Sequence, residues 1–120
     1  GIAYDIPKLT VDDPSGKAKV LILGWGSTYG PIGAACRRVR QAGGEIASAH
    51  LRHLNPFPEN TGEILRRHER VIVPEMNLGQ LTMLLRARYL VDVQGINQVR
   101  GLPFKSTELV AAIGDALETL

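Results

Sequence analysis

The sequence predicts an α/β domain of three layers, in which helices cover both faces of a mainly parallel β-sheet. Two observations predict this class. Short aliphatic runs alternate along the chain with segments whose apolar residues recur at helical spacing. Glycines and helix-capping residues stand between these segments. Such alternation is typical of repeated βαβ units, whose parallel strands are joined by right-handed helical crossovers.

Residues 1–18 contain two prolines, three aspartates and two glycines, and their apolar residues have no helical period. They predict a linker or extended arm with a short strand at residues 8–11. The α/β domain itself is expected to span residues 19–120. Because the chain begins at Gly1 without a methionine, we expect it to be part of something longer.

The first half of the domain predicts a strand, a helix and a second strand. Residues 19–24 form a continuous aliphatic run, which is typical of a parallel strand covered on both faces. Residues 31–42 predict a helix with a proline in its first turn, ended by the glycine pair Gly43 and Gly44. Residues 45–51 predict the second strand.

The next helix is expected from Asn60 through His68, because Asn60 and Glu63 have the spacing of a capping box. The aliphatic run at residues 70–73 predicts a third buried strand.

Asn77 and Gln80 repeat the capping spacing before a helix at residues 81–90. The apolar residues of that helix, including Met83 and Leu84, are expected mainly in the core, with the alternative that the apolar excess around the helix extends into an interface. A fourth strand is expected within residues 91–99. Ser106 then caps a last helix with a core-facing stripe of Leu109, Val110, Ile113, Leu117 and Leu120.

Composition excludes several classes of protein. The 120 residues suffice for one domain, with 44% hydrophobic and 22% charged residues. The single cysteine, Cys36, excludes an internal disulfide and a four-thiolate metal or iron–sulfur site made by this chain alone. A net charge of +2 does not favour nucleic acid, and no apolar run approaches the roughly 20 residues of a membrane span. We therefore expect a cytoplasmic protein with neither nucleic acid nor membrane as a partner.

The carboxyl ends of the predicted strands are where an α/β sheet places ligand and partner sites. The segments that follow the strands are residues 24–30, 52–58, 74–80 and 100–105, and they hold four of the five prolines beyond residue 30. This concentration of unusual residues predicts that the carboxyl edge of the sheet contacts a ligand or a partner.

The first of these segments is rich in glycine. Gly24, Gly26 and Gly30 have a spacing one residue longer than the dinucleotide fingerprint, and the bulky Trp25 would crowd a pyrophosphate. We interpret the glycines as a tight turn. The alternative is an independent Rossmann-like module that binds an anionic nucleotide or coenzyme A at this turn, since Arg52 stands where such folds place an acidic residue and could accept a 2′-phosphate.

The titratable residues predict neither a metal site nor a catalytic residue. His50 and His53 are three apart on or near a strand, which directs them to opposite faces. His68 lies on a helix among arginines. Glu75 directly follows a buried strand, so we expect its carboxylate to pair with Arg52 or Arg100.

Four segments of the chain, in this order and spacing, carry a resemblance to a known family: KVLILGWGSTYGPIGAACRRVRQAG, HLRHLNPFP, RVIVPEMNLGQL and VRGLPFK. The chain resembles the carboxy-terminal portion of the alpha subunit of 2-oxoacid:ferredoxin oxidoreductases, and is most similar to the 2-oxoglutarate enzyme. The resemblance implies a transketolase carboxy-terminal-like α/β domain.

It also implies a role within a larger complex. Enzymes of that family convert 2-oxoglutarate and coenzyme A to succinyl-CoA and CO2 with reduction of ferredoxin, using thiamine diphosphate, magnesium and an iron–sulfur cluster. This chain has no GDG-type diphosphate motif and no cysteine set. The resemblance thus implies a noncatalytic domain, inactive alone, that docks against preceding domains of its own subunit and the beta subunit. Ferredoxin and coenzyme A are partners of the complex.

By residue matches to the family, the segments that follow the second and third predicted strands are expected to form two parts of an interdomain surface, which we call corners. Arg100 is a further candidate for this surface. These corners are Arg52, Asn55, Pro56, Phe57 and Pro58, and Glu75, Asn77, Gly79 and Gln80.

Overall fold

The computed structural model describes residues 6–26, 29–54, 56–75, 80–97 and 106–120. Within these residues the strands are β1 (Val11–Asp12), β2 (Val20–Trp25), β3 (Ile46–Leu51), β4 (Arg70–Glu75) and β5 (Gln94–Asn97). The helices are α1 (Tyr29–Gln41), α2 (Thr61–Arg67), α3 (Gln80–Tyr89) and α4 (Ser106–Glu118).

The strands form a mainly parallel sheet in the order β1-β3-β2-β4-β5. Strands β2 to β5 run parallel to their neighbours, whereas the two-residue β1 pairs with β3 in the antiparallel sense. Parallel neighbours require a crossover between them, and the helices supply it. The predicted α/β class is confirmed.

Helices cover both faces of this sheet, which confirms the three predicted layers. Val20 and Ile22 face the layer of α1 and α4, and Leu21 and Leu23 face the layer of α2 and α3. Successive side chains of a strand point to opposite faces, so a strand covered on both sides must be apolar throughout. This requirement explains the unbroken aliphatic run of β2.

Helix α1 ends in a Schellman motif. The Gly44 amide donates to the Val39 carbonyl at 2.9 Å and the Gly43 amide to the Arg40 carbonyl at 3.0 Å. Gly43 has a φ of +95°, in the region that glycine adopts without strain. The predicted end of this helix is therefore confirmed, although α1 begins at Tyr29, two residues earlier than predicted.

The amino-terminal arm packs onto the sheet. Its strand lies at Val11–Asp12, later than the predicted residues 8–11, and Leu9 is only 7% exposed within the core. The Asn60 side chain fixes this arm, since its Oδ1 accepts from the Leu9 amide at 2.7 Å and its Nδ2 donates to the Leu9 carbonyl at 2.9 Å.

The capping role predicted for Asn60 is wrong. Asn60 directly precedes α2, but its side chain makes no cap hydrogen bond, because Leu9 uses both its donor and its acceptor. The Pro58 carbonyl accepts from the Thr61 amide at 3.1 Å and from the Thr61 hydroxyl at 2.8 Å. The start of α2 is therefore fixed by a turn rather than by a capping box.

The last part of the chain follows the predicted order with narrower limits. Strand β5 occupies four residues of the predicted 91–99. Helix α4 begins at Ser106 as predicted, and Leu109 and Ile113 are buried against the sheet. Leu120 lies beyond the end of α4 and is 51% exposed, so its predicted place in the core-facing stripe is wrong. No helix in the described segments has the length and apolar character needed to cross a membrane.

Replacing Asn60 tests the attachment of the arm. Asn60→Ala removes both hydrogen bonds to Leu9, and we expect it to lower the free energy of unfolding by about 1–3 kcal/mol. Amide exchange of residues 8–12 should also become faster. The control is Glu59→Gln, since the Glu59–Lys8 ion pair is 3.8 Å long and more than 70% exposed at both side chains. Equal stability of the two variants in urea unfolding would contradict the attachment.

Candidate functional site

The carboxyl ends of the four parallel strands lie along one edge of the sheet. Trp25, the last residue of β2, is opposite Leu51, the last residue of β3. Glu75, the last residue of β4, is opposite Asn97, the last residue of β5. The selected segments 24–30, 52–58 and 74–80 therefore begin at a common edge, as predicted, and residues 100–105 lie outside the described part of the chain.

Glu75 is buried at this edge and holds the beginning of α3. Its Oε1 accepts from the Leu81 amide at 2.7 Å, and its Oε2 accepts from the Thr82 amide at 3.1 Å and the Thr82 hydroxyl at 2.7 Å. Glu75 as a whole residue is 5% exposed. A helix amino terminus carries unpaired amides and a partial positive charge, so it stabilises a buried carboxylate without a cation.

The predicted pairing of Glu75 with Arg52 is wrong, because both carboxylate oxygens bond to α3 and no ion pair between these two side chains occurs in the described part of the chain. The proposed partner Arg100 lies outside the described residues. Sequence reasoning recognised that this carboxylate needs a partner but did not consider helix amides that follow a few residues later.

The glycine-rich turn connects β2 to α1. Gly24 is buried within β2, and Gly26 just after the strand has a φ of +66°. Gly30 is the second residue of α1. Gly26 adopts this left-handed conformation without strain because it has no Cβ atom. Residues 27 and 28 lie outside the described part of the chain.

Some described residues of the corner that follows β3, residues 52–58, make contacts inside the domain. Arg52 and Pro56 are exposed, whereas Phe57 is half-buried and its ring meets that of Tyr89 edge-on at 5.6 Å. Pro58 is buried, and its carbonyl fixes the start of α2. Of the predicted interface candidates in the described part of this corner, Arg52 and Pro56 are therefore open to a partner, and the neighbouring His53 is exposed as well.

The remaining interface candidates are Gln80, which the structure describes, and four residues that it does not describe. Gln80 is the exposed first residue of α3. Asn55, Asn77 and Gly79, like Arg100, lie outside the residues that the structure describes.

The histidines occupy three separate environments. The centroids of the His50 and Tyr29 rings lie 5.1 Å apart in an edge-on arrangement. His53 is exposed. His68 is buried, and its Nδ1 lies 2.8 Å from the Ile64 carbonyl oxygen. Among the described residues, no three His, Cys, Asp or Glu side chains are close enough to hold a metal ion.

Sequence reasoning missed a groove of about 700 Å³ between the amino-terminal arm, α1 and β3. Its lining includes Lys8 from the arm, Arg37 and Arg40 from α1, His50 from β3, and Arg52 beyond β3. These residues come from segments distant in sequence, and only the packed arm brings them to one surface. The groove reaches the carboxyl edge at Arg52 and His53.

Burial lowers the pKa of His50, and the nearby Arg52 charge lowers it further, against the effect of a hydrogen bond with the Gly26 backbone. Burial also raises the pKa of the Cys36 thiol, which lies in the wall of the groove. Both groups are therefore predominantly neutral at pH 7.

Comparison with known proteins places this fold in a family. Residues 18–113 match the family described as pyruvate:ferredoxin oxidoreductase core domain II. The chain belongs to this family. As a core domain II it is 56% identical over 112 residues to the 2-oxoglutarate oxidoreductase subunit KorA of Mycobacterium tuberculosis. It is 39% identical over 106 residues to the alpha subunit of 2-oxoacid:ferredoxin oxidoreductase 2 of Aeropyrum pernix.

These relatives are much longer than the chain. The aligned region covers 93% of this chain but 17% of KorA, and 86% of this chain but 16% of the Aeropyrum pernix subunit. The chain therefore spans about one sixth of the length of each of these relatives.

Solved structures give the same fold. The 2-oxoglutarate:ferredoxin oxidoreductase of Magnetococcus marinus, solved with 2-oxoglutarate, coenzyme A and succinyl-CoA bound, superposes with a TM-score of 0.88 and 28% identity. The superposed region covers 97% of this chain and 21% of the Magnetococcus marinus chain. A split-gene transketolase superposes with a TM-score of 0.63 at 17% identity, over 91% of this chain and 41% of its own. The transketolase carboxy-terminal-like fold implied by the resemblance is confirmed.

Replacing Glu75 tests the bond between β4 and α3. Glu75→Gln keeps the shape of the side chain but places an amide donor where the helix needs an acceptor, so we expect the free energy of unfolding to fall by about 1.5–3 kcal/mol. The control is Glu69→Gln, an exposed carboxylate before β4. Denaturant unfolding curves that coincide for the two variants would refute this role.

The pH dependence of stability tests the environment of His50. Its folded-state pKa lies below the unfolded value of about 6.5, so the unfolded chain binds more protons in this range. This contribution to stability is complete above the unfolded pKa and is lost as the pH falls toward the folded one. We expect His50→Gln to reduce the loss of stability between pH 7.5 and pH 5.5, and the exposed-site control His53→Gln to preserve it. An NMR titration that places the His50 pKa at or above 6.5 would contradict the assignment.

Proposed function

We propose that this chain is a domain of the alpha subunit of a 2-oxoglutarate:ferredoxin oxidoreductase. The observation that carries the proposal is the 56% identity to KorA over 93% of the chain. The complete complex would convert 2-oxoglutarate and coenzyme A to succinyl-CoA and CO2, and ferredoxin would receive the electrons.

Within that complex, we propose a docking role for the domain rather than a catalytic one. Its single cysteine cannot supply the thiolates of an iron–sulfur cluster. The three hydrogen bonds to α3 commit the buried Glu75 carboxylate to the fold. The residues described here thus do not fit an iron–sulfur cluster, and we assign thiamine diphosphate, magnesium and the cluster to other parts of the complex.

The outward face of α3 supports the docking role. Met83 is 67% exposed and Leu84 is 51% exposed, whereas Leu81 and Leu85 of the same helix are buried. Leu90, directly after α3, is 89% exposed. Met83 and Leu84 therefore do not belong to the core, and their exposure favours the alternative that the apolar excess of this helix extends into an interface. Adjacent exposed apolar side chains are typical of a surface that meets another protein surface.

Two surfaces are thus candidates for docking: the exposed apolar residues of α3, and Arg52 and Pro56 at the carboxyl edge of the sheet. The proposed partners are other domains of the alpha subunit and the beta subunit. Coenzyme A and ferredoxin would bind at the level of the complex.

Purification of the protein that carries this sequence, through an affinity tag, tests the proposal. We expect it to copurify with a beta subunit and to reduce ferredoxin only when 2-oxoglutarate and coenzyme A are both present, with succinyl-CoA as product. Assays with pyruvate and other 2-oxoacids establish substrate preference. A purified complex that reduces ferredoxin with none of these acids would overturn the assignment.

The same complex tests the docking surface through the variant Met83→Ser/Leu84→Ser. Both side chains are exposed, so their loss should change the stability of the domain little but reduce the share of alpha subunit that elutes with beta subunit in size-exclusion chromatography. The matched control is Glu118→Gln, an exposed position on α4. Unchanged assembly of the double variant would exclude this face of α3 from the interface.

A further inference from the structure

The groove between the arm, α1 and β3 has an excess of positive charge. Among the residues that the structure describes, four cationic side chains line it, those of Lys8, Arg37, Arg40 and Arg52, against one carboxylate, that of Asp12. The volume of about 700 Å³ lies in the range of small-molecule sites. The groove is therefore large enough for a ligand and electrostatically suited to an anion.

Two of these cations already have partners in the fold. Arg40 bonds to the Asp12 carboxylate at 3.0 Å and to the Ile46 carbonyl at 2.9 Å, so it attaches α1 to the sheet. Lys8 lies 3.8 Å from Glu59. The Asp12 carboxylate is consequently engaged, and it does not neutralise the remaining guanidinium groups.

Arg37 and Arg52 are the cations left over. Both are exposed, and neither has a hydrogen bond or an ion pair within the part of the chain that the structure describes. They reach the groove from different walls, Arg37 from α1 and Arg52 from the end of β3, and the exposed His53 lies beside the second wall. Two guanidinium groups that line the same groove suit an anion with several oxygens.

The aromatic part of the wall favours a ligand with a ring. Tyr29 is 65% exposed and lines the groove, and its ring is braced by the edge of His50 at 5.1 Å. A braced aromatic side chain next to a pair of guanidinium groups is suited to a molecule that combines a planar ring with phosphate.

We propose that this groove is a binding site for a phosphate-bearing small molecule, whose phosphate oxygens bond to Arg37 and Arg52. The guanidinium fork matches phosphate oxygens in pairs, and this geometry favours phosphate over a compact monovalent anion. The proposal is separate from the assignment to an oxidoreductase complex, because binding is measured on the chain itself and not through ferredoxin reduction.

Isothermal titration calorimetry of the 120-residue chain tests this site. The probes are pyrophosphate, coenzyme A and dephospho-CoA, with succinate as a dicarboxylate that lacks phosphate. We expect saturable binding of pyrophosphate and tighter binding of the two nucleotide-containing probes, while succinate binds more weakly than any of them. The comparison of coenzyme A with dephospho-CoA shows whether the 3′-phosphate or the diphosphate occupies the guanidinium pair.

The variants Arg37→Gln and Arg52→Gln should each raise the dissociation constant of the phosphate probes by about tenfold or more, which corresponds to the loss of a charged hydrogen-bond donor. The matched control is Arg38→Gln, which removes the same charge from an exposed neighbour on α1 that does not line the groove. It should change binding less than twofold. Circular dichroism and thermal unfolding verify that each variant is folded.

Three results would overturn the proposal. They are the absence of saturable binding of every phosphate probe at millimolar concentration, equal weakening by Arg38→Gln, and binding of succinate as tight as that of pyrophosphate. The first result would show that the groove holds no phosphate site. The second would attribute the weaker binding of the variants to net charge alone, and the third would show that the groove does not select phosphate.

Discussion

The carboxyl edge of this domain depends on one buried carboxylate. Glu75 ends an inner strand of the sheet and accepts three hydrogen bonds from the first residues of α3. Helix α3 in turn supplies Leu81 and Leu85 to the core on that face of the sheet. A charge buried at this point is tolerated because the helix terminus provides both the donors and a favourable electrostatic potential. The same charge fixes where α3 begins and which of its faces meets the sheet.

The fold could be predicted well from sequence because its signals are local. The aliphatic run of β2 and the glycine pair after α1 each depend on neighbouring residues, and the structure confirms both. The partner of Asn60 could not be predicted in this way, since Leu9 is 51 residues distant. Capping rules assign a side chain to its nearest helix, and they fail where a distant backbone segment uses the same donor and acceptor.

The candidate site was only partly predictable for the same reason. Sequence order placed the strand ends on one edge, but it could not show that Phe57 and Pro58 are used for internal packing while Arg52 stays exposed. The basic groove needs three distant segments, so no local pattern indicates it. The sequence leaves Met83 and Leu84 open between core and interface, because an apolar period does not show how many faces of a helix the fold can cover.

The attachment of the arm has a consequence for the order in which the domain is completed. Strand β1 pairs with β3, and Asn60, which holds Leu9, follows β3 in sequence. A ribosome therefore delivers the arm before its binding surface, because Asn60 emerges about fifty residues after Leu9. Until then the outer edge of β3 is exposed with unpaired backbone groups, as an edge strand that can pair with another chain. Pairing of β1 with β3 thus covers this edge in the folded domain.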